Sequence, residues 1–215
     1  MNSALAWKIV IAWASLIIIC LLLVQEWSVV VFVATYGFIF GGIAFRFRSK
    51  IRPLFQAIRL HNYWGFLLLA VAVSVTEEIY CWVLGNNMAH EILWVDLVMV
   101  TAIWSVWFST WYFFLSKRFL FTEKEALMVA GAIGILYEYV GTGDVFGNPL
   151  LILASPLAIV IYATIFVLPM QLITFTGTDD RNRKYPIGIV LPFVLSLPVL
   201  LILFVVFSIA GISVD

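Results

Sequence analysis

Residues 65–85 read GFLLLAVAVSVTEEIYCWVLG. The first ten carry no charge and one hydroxyl, and then Glu77 and Glu78 stand side by side. An apolar run of about 20 residues is long enough to cross the roughly 30 Å hydrocarbon layer of a bilayer as a helix. No water there can satisfy free backbone amides, and the stretch lacks strand-like alternation, so a helix is the form that fits. Each carboxylate at membrane depth costs about 2.5–3.5 kcal/mol on insertion scales. One segment thus predicts both a membrane helix and a polar site within it.

The rest of the chain repeats the pattern. The 215 residues are 64% hydrophobic and 11% charged, against about 25% charged in soluble domains, and mean hydropathy is +1.11. Seven apolar segments can be drawn, at about 4–24, 27–45, 63–84, 93–115, 125–140, 149–174 and 187–211. The expectation is an all-α, polytopic membrane bundle of seven transmembrane helices, with residues 1–215 forming one membrane domain. The fifth segment is the weakest, because Glu138 and two glycines shorten its apolar part. The first is too long for a signal-peptide core and is followed by no small-x-small cleavage site, so it reads as a retained helix. Cys20 and Cys81 lie within apolar runs and read as buried thiols, not a disulfide framework.

Charge sets the orientation. Net charge is zero, which gives no field for nucleic acid, yet the 12 basic residues are unevenly placed. Lys8 precedes most of the first segment. Arg46, Arg48, Lys50, Arg52 and Arg59 follow the second, Lys117, Arg118 and Lys124 follow the fourth, and Arg181, Arg183 and Lys184 follow the sixth. With seven crossings all of them fall on one side, which the positive-inside rule makes cytoplasmic. The expectation is a multi-pass protein of the cell membrane with its N-terminus inside and Asp215 outside. The linker carrying Arg46, Arg48, Lys50 and Arg52 could meet anionic lipid as an amphipathic helix, although a plain topology determinant accounts for it as well.

The opposite face is acidic. Glu26, Glu91 and Asp144 fall in its loops, Asp96 opens the fourth segment, and Glu77, Glu78 and Glu138 lie within segments. No Lys or Arg occurs between positions 60 and 116 or between 125 and 180, so a nearby salt bridge is not on offer. The remaining outcomes are a proton, a bound cation or a water-filled cavity. Glu77, Glu78, Asp96 and Glu138 are therefore the candidate proton- or cation-binding residues. Adjacent helical residues point about 100° apart, so Glu78 with Glu138 is taken as the central pair and Glu77 as pointing elsewhere. No catalytic residue is assigned; for an enzyme, Glu78 and Glu138 would be the acid–base pair. No metal or cofactor is assigned. His61 and His90 fall on opposite faces, which excludes a histidine-rich zinc site.

Three short motifs resemble known families without completing their patterns. GTGD at 141–144 resembles the GxGD of intramembrane aspartyl proteases, but that family's Tyr-Asp and Pro-Ala-Leu elements are absent. The glutamate pair resembles the EExxxR of CAAX-protease-like hydrolases, with Trp82 where the arginine belongs. It also resembles the Pro-x-Glu-Glu of membrane carotenoid cyclases, with Val75 in place of the proline. Three functional readings remain: a transporter-like or binding protein with an outward carboxylate cavity, an intramembrane enzyme acting on a lipid or prenyl substrate, and an assembly subunit. Trp104, Trp107 and Trp111 form one helical stripe, read as packing.

Overall fold

The computed structural model describes residues 3–57, 62–86 and 90–212, apart from the side chain of Gln56. Arg59, His61 and Asp215 lie outside the described residues. The chain is all-helical there, and its only extended pairing among the described residues is the isolated bridge Phe119–Thr178. Helix α1 is Ser3–Leu23, and α2 runs over 27–57 with a wide, π-helical stretch at Val33–Phe40. Helix α3 is Tyr63–Val83, and α4 is Leu93–Arg118. Helix α5 covers 123–141 and ends in π-helical turns at Leu136–Gly141. Helix α6 is Pro149–Leu172, with 3-10 turns at both ends, and α7 is Arg181–Ile209.

Six of these, all but α5, are long and apolar enough to cross a membrane. Their exteriors agree: Leu201, Ile202, Phe204, Val205 and Val206 of α7 are all exposed, a continuous apolar surface that suits lipid and not water. The chain is thus compatible with an integral membrane protein. Trp27, Trp64, Trp82 and Trp94 are exposed near helix ends, where indoles anchor to the interface. Cys20 corrects the sequence reading, since it is exposed on the outer side of α1. The basic linker after position 45 is also not a separate helix. It continues α2 to Ala57, past Pro53.

The two glycines that weakened the fifth segment have a packing role. A Cβ on Gly134 would lie 2.7 Å from the Tyr162 ring, and one on Gly131 would meet the Ile159 carbonyl. Helices α5 and α6 approach closely because these positions have no side chain. Gly37 and Gly41, four apart on α2, likewise admit Val160 and Thr164 of α6, and Thr164 donates to the Gly37 carbonyl at 3.2 Å. Small residues one turn apart are how apolar helices approach closely. Helix α6 is therefore the buried axis, with every residue from Leu157 to Val167 in the core.

The segments rich in Lys and Arg share one end of the bundle. Trp7 of α1 donates to the Lys124 carbonyl at 3.0 Å, and Arg48 of α2 pairs with Glu123 at 2.7 Å. Lys184, only 1% exposed, donates to the Leu120 carbonyl (3.0 Å), Glu125 (3.1 Å) and Asp179 (2.6 Å). The Tyr185 hydroxyl takes the other Glu125 oxygen at 2.6 Å, while Thr122 and Glu125 form a capping box at the start of α5. The segments before α5 and α7 are stitched together by Leu120 N–H to the Thr178 carbonyl (2.9 Å) and Thr178 N–H to the Arg118 carbonyl (3.1 Å).

Candidate carboxylate site

Each carboxylate candidate reaches the site for a local reason. Glu77 and Glu78 lie in the last two turns of α3, and Glu138 lies three residues before the end of α5. Helix C-termini carry partial negative charge, so these ends offer no compensation to a carboxylate. Asp96 is the opposite case: it occupies the first turn of α4 and accepts the His90 backbone N–H at 3.1 Å. There the helix dipole favours the negative charge.

The four candidates are linked pairwise by electrostatic reach. Glu77 and Glu78 are within electrostatic reach of each other, and Glu78 also of Asp96. Glu77 is within electrostatic reach of Glu138 and of Asp96. The expectation that Glu77 points away from the site is corrected. Glu77 is 6% exposed and turns inward toward Glu138, while Glu78 is half-buried and turns toward Asp96. The cluster thus has two tiers. Glu77, Glu78 and Asp96 form one, where α3 turns back into α4. Glu138 forms the other, on α5, and its neighbour Tyr137 donates to Ser196 at 3.2 Å, near the middle of α7. Glu138 is exposed, and its Oε1 accepts the Tyr162 hydroxyl at 2.6 Å.

Two tyrosines were missed by sequence reasoning. Tyr162 of α6 is buried between Trp104, at 5.0 Å between ring centroids, and Tyr137, at 6.1 Å. Tyr36 of α2 is 7% exposed, and its hydroxyl has no hydrogen-bond partner among the described residues. It sits within electrostatic reach of Glu77 and Glu78. Both tyrosines sit beside the glycine-permitted close approaches to α6, so the Gly37–Gly41 spacing was the available signal. Two π-helical stretches carry site residues, Tyr36 in α2 and Glu138 in α5. Such stretches widen a helix by one residue and recur at functional sites.

Beneath the site the bundle is closed by aromatic packing. Trp107 stacks near Phe166 (5.5 Å), Phe166 near Trp111 (4.7 Å), and Trp111 near Phe121 (5.3 Å). Trp107, Trp111 and Phe166 are fully buried. The tryptophan stripe of α4 is packing, as its spacing suggested. Gly143, in the GTGD element, has φ +83° and makes the turn after α5. His90 does not present its ring to Asp96 through Nδ1, which accepts the Ile92 N–H at 2.9 Å. Among the described residues, no group of three or more His, Cys, Asp or Glu is placed to hold a metal ion. No family model, curated protein or solved structure matches the chain.

Proposed function

We propose that the chain is a seven-crossing membrane protein, N-terminus inside and C-terminus outside, that binds a proton or a cationic solute from the outer side at the Glu77–Glu78–Asp96–Glu138 cluster. The observation that carries the reading is a set of acidic groups within electrostatic reach of one another: Glu77 of Glu78, Asp96 and Glu138, and Glu78 of Asp96. Two bare carboxylates at that range repel, and a proton or cation between them removes the repulsion. Glu77, Glu78 and Glu138 form no ion pair among the described residues. The Tyr36 hydroxyl, with no hydrogen-bond partner among the described residues, is a further polar group within electrostatic reach of Glu77 and Glu78.

Helix α5 counts as the seventh crossing because its two ends serve different ends of the bundle. Glu125 in its first turn meets Lys184, and Glu138 in its last meets Tyr162. Its 19 residues rise about 28 Å, close to the hydrocarbon thickness. With α5 crossing, every described basic residue is on one side, and the positive-inside rule makes that side cytoplasmic. The aromatic packing below Tyr162 supports a site open to one side in this conformation, a binding pocket and not a continuous path.

The test is infrared spectroscopy of the purified protein in lipid nanodiscs at neutral pH. A proton held in the cluster gives a protonated-carboxyl C=O band that shifts in deuterium oxide and weakens in Glu77→Gln. A bound cation instead gives carboxylate bands that move when sodium, ammonium or guanidinium is added. Ionised carboxylate bands that no added cation moves would refute the reading. Glu138→Gln serves as the folding control, because a glutamine oxygen still accepts the Tyr162 hydroxyl.

A further inference from the structure

Helices α4 and α7 meet at one end, where Val95 and Met99 contact Leu200, Leu203 and Phe207. Toward the basic end they part and leave a groove of about 650 Å³, lined by Ser105, Ser109, Phe113 and Phe114 of α4 and Leu191 and Leu195 of α7. Its hydroxyls are already spent. Ser105 donates back to Thr101 at 2.7 Å, Ser109 to Ser105, and Thr110 to Val106 at 2.8 Å. A groove with no free donor suits a hydrocarbon chain and not a polar ligand. From Ser105 to Phe114 it runs on the order of 14 Å along α4, about half the hydrocarbon layer and so the depth of one leaflet.

The groove has a charged mouth. Lys117 lies one turn beyond Phe113, and its Nζ sits 5.7 Å from the centre of the Phe113 ring. Lys117 is exposed and forms no ion pair among the described residues. Arg48, by contrast, is engaged by Glu123. We infer that this groove is a binding site for one anionic phospholipid, its acyl chain along α4 and α7 and its phosphate on Lys117. The site is separate from the carboxylate cluster and does not depend on what that cluster binds. A smaller hollow of about 370 Å³ between the same two helices, lined by Met99, Leu197, Leu200, Leu201 and Phe204, lies toward the opposite end and has no basic residue in its lining. It is an internal control.

The experiment uses the full chain in phosphatidylcholine nanodiscs doped with a trace of photoactivatable lipid. The diazirine is on the acyl chain, and the headgroup is phosphatidylglycerol or phosphatidylcholine. Peptide mass spectrometry locates the crosslinks. One basic side chain near the surface contributes about 1 kcal/mol toward an anionic lipid, which is about fivefold. The phosphatidylglycerol probe is therefore expected to label residues 105–114 about five times more than the phosphatidylcholine probe, with no such preference at residues 197–204. Lys117→Gln should equalise the two probes at 105–114, and Val106→Trp, which fills the groove, should reduce both there. Lys117 is exposed, so that variant keeps the fold and decides the matter even if the tryptophan variant does not. Equal labelling of residues 105–114 in the unmodified protein, or a preference that survives Lys117→Gln, would overturn the inference.

Discussion

Lys184 is the place where one substitution should matter most to stability. Its ammonium has all three of its hydrogens engaged, by the Leu120 carbonyl, Glu125 and Asp179, and the side chain is 1% exposed. Lys184→Met keeps the length and apolar stem but strands the Glu125 carboxylate, whose side chain is 11% exposed. Breaking a buried pair from one side costs about 3–5 kcal/mol. Glu125 retains Tyr185 and Thr122 as donors, so the lower end, about 3 kcal/mol, is expected here. At about 2–4 °C per kcal/mol for a chain of this size, unfolding in detergent micelles should shift down on the order of 10 °C. Asp179→Asn removes only the half-exposed partner (47%) and should cost less than about 1 kcal/mol. The double variant Lys184→Met with Glu125→Met removes both buried charges. It should recover part of the loss, leaving about 1 kcal/mol for the missing helix cap. A Lys184→Met protein within about 1 kcal/mol of the unmodified chain, or a double variant no more stable than Lys184→Met alone, would refute this account of the clasp.

Other outcomes follow from the same contacts. With Cys20 and Cys81 replaced, an impermeant thiol reagent outside should label Gly147→Cys but neither Lys124→Cys nor Asn182→Cys; labelling of Asn182→Cys would reverse the topology. Thr122→Ala removes the α5 cap and should lower stability by about 1 kcal/mol, measured by the same unfolding assay. Gly177→Ala puts a methyl into the Arg118–Phe119 backbone and should separate the two segments joined by the Phe119–Thr178 bridge, read as faster amide exchange at Leu120 and Thr178. Gly134→Ala pushes on the Tyr162 ring; it should weaken the Tyr162–Glu138 hydrogen bond and shift the tyrosine C–O infrared band, and an unchanged band would show that the ring does not depend on that glycine.

The sequence made the helices legible because hydropathy and length carry that information directly. It also singled out Glu77, Glu78, Asp96 and Glu138, which the fold brings within electrostatic reach pair by pair. It failed where handedness and close approach decide. The 100° between Glu77 and Glu78 says that only one can face inward, but not which one. The choice is made by α2 and α6, whose contact through Gly37 and Gly41 brings Tyr36 beside Glu77 and Glu78. Counting Lys184 as one more topology charge missed its burial for a similar reason. Nothing in RNRKYP distinguishes the exposed Arg181 and Arg183 from the lysine that inserts between Phe121 and Tyr185.

The two polar centres stand at opposite ends of α5, with the Trp104–Trp107–Phe166–Trp111–Phe121 packing between them. Phe121 is the last ring in that series, and the Lys184 ammonium lies 5.4 Å from its centre. The closed end of the bundle is thus held by charge at its base and by packed rings above it. Cores of this kind deform in discrete steps and not continuously. Any passage of a proton or solute from Glu138 to the basic end would have to open this packing, whose last ring, Phe121, lies against the Lys184 ammonium. Lys184→Met should then do two separable things in a transporter: lower stability and raise leak across the bilayer. In a one-sided binding protein the same variant should lower stability alone. Proton flux into liposomes carrying that variant, compared with the unmodified chain, distinguishes the two, and the closed aromatic packing favours no flux.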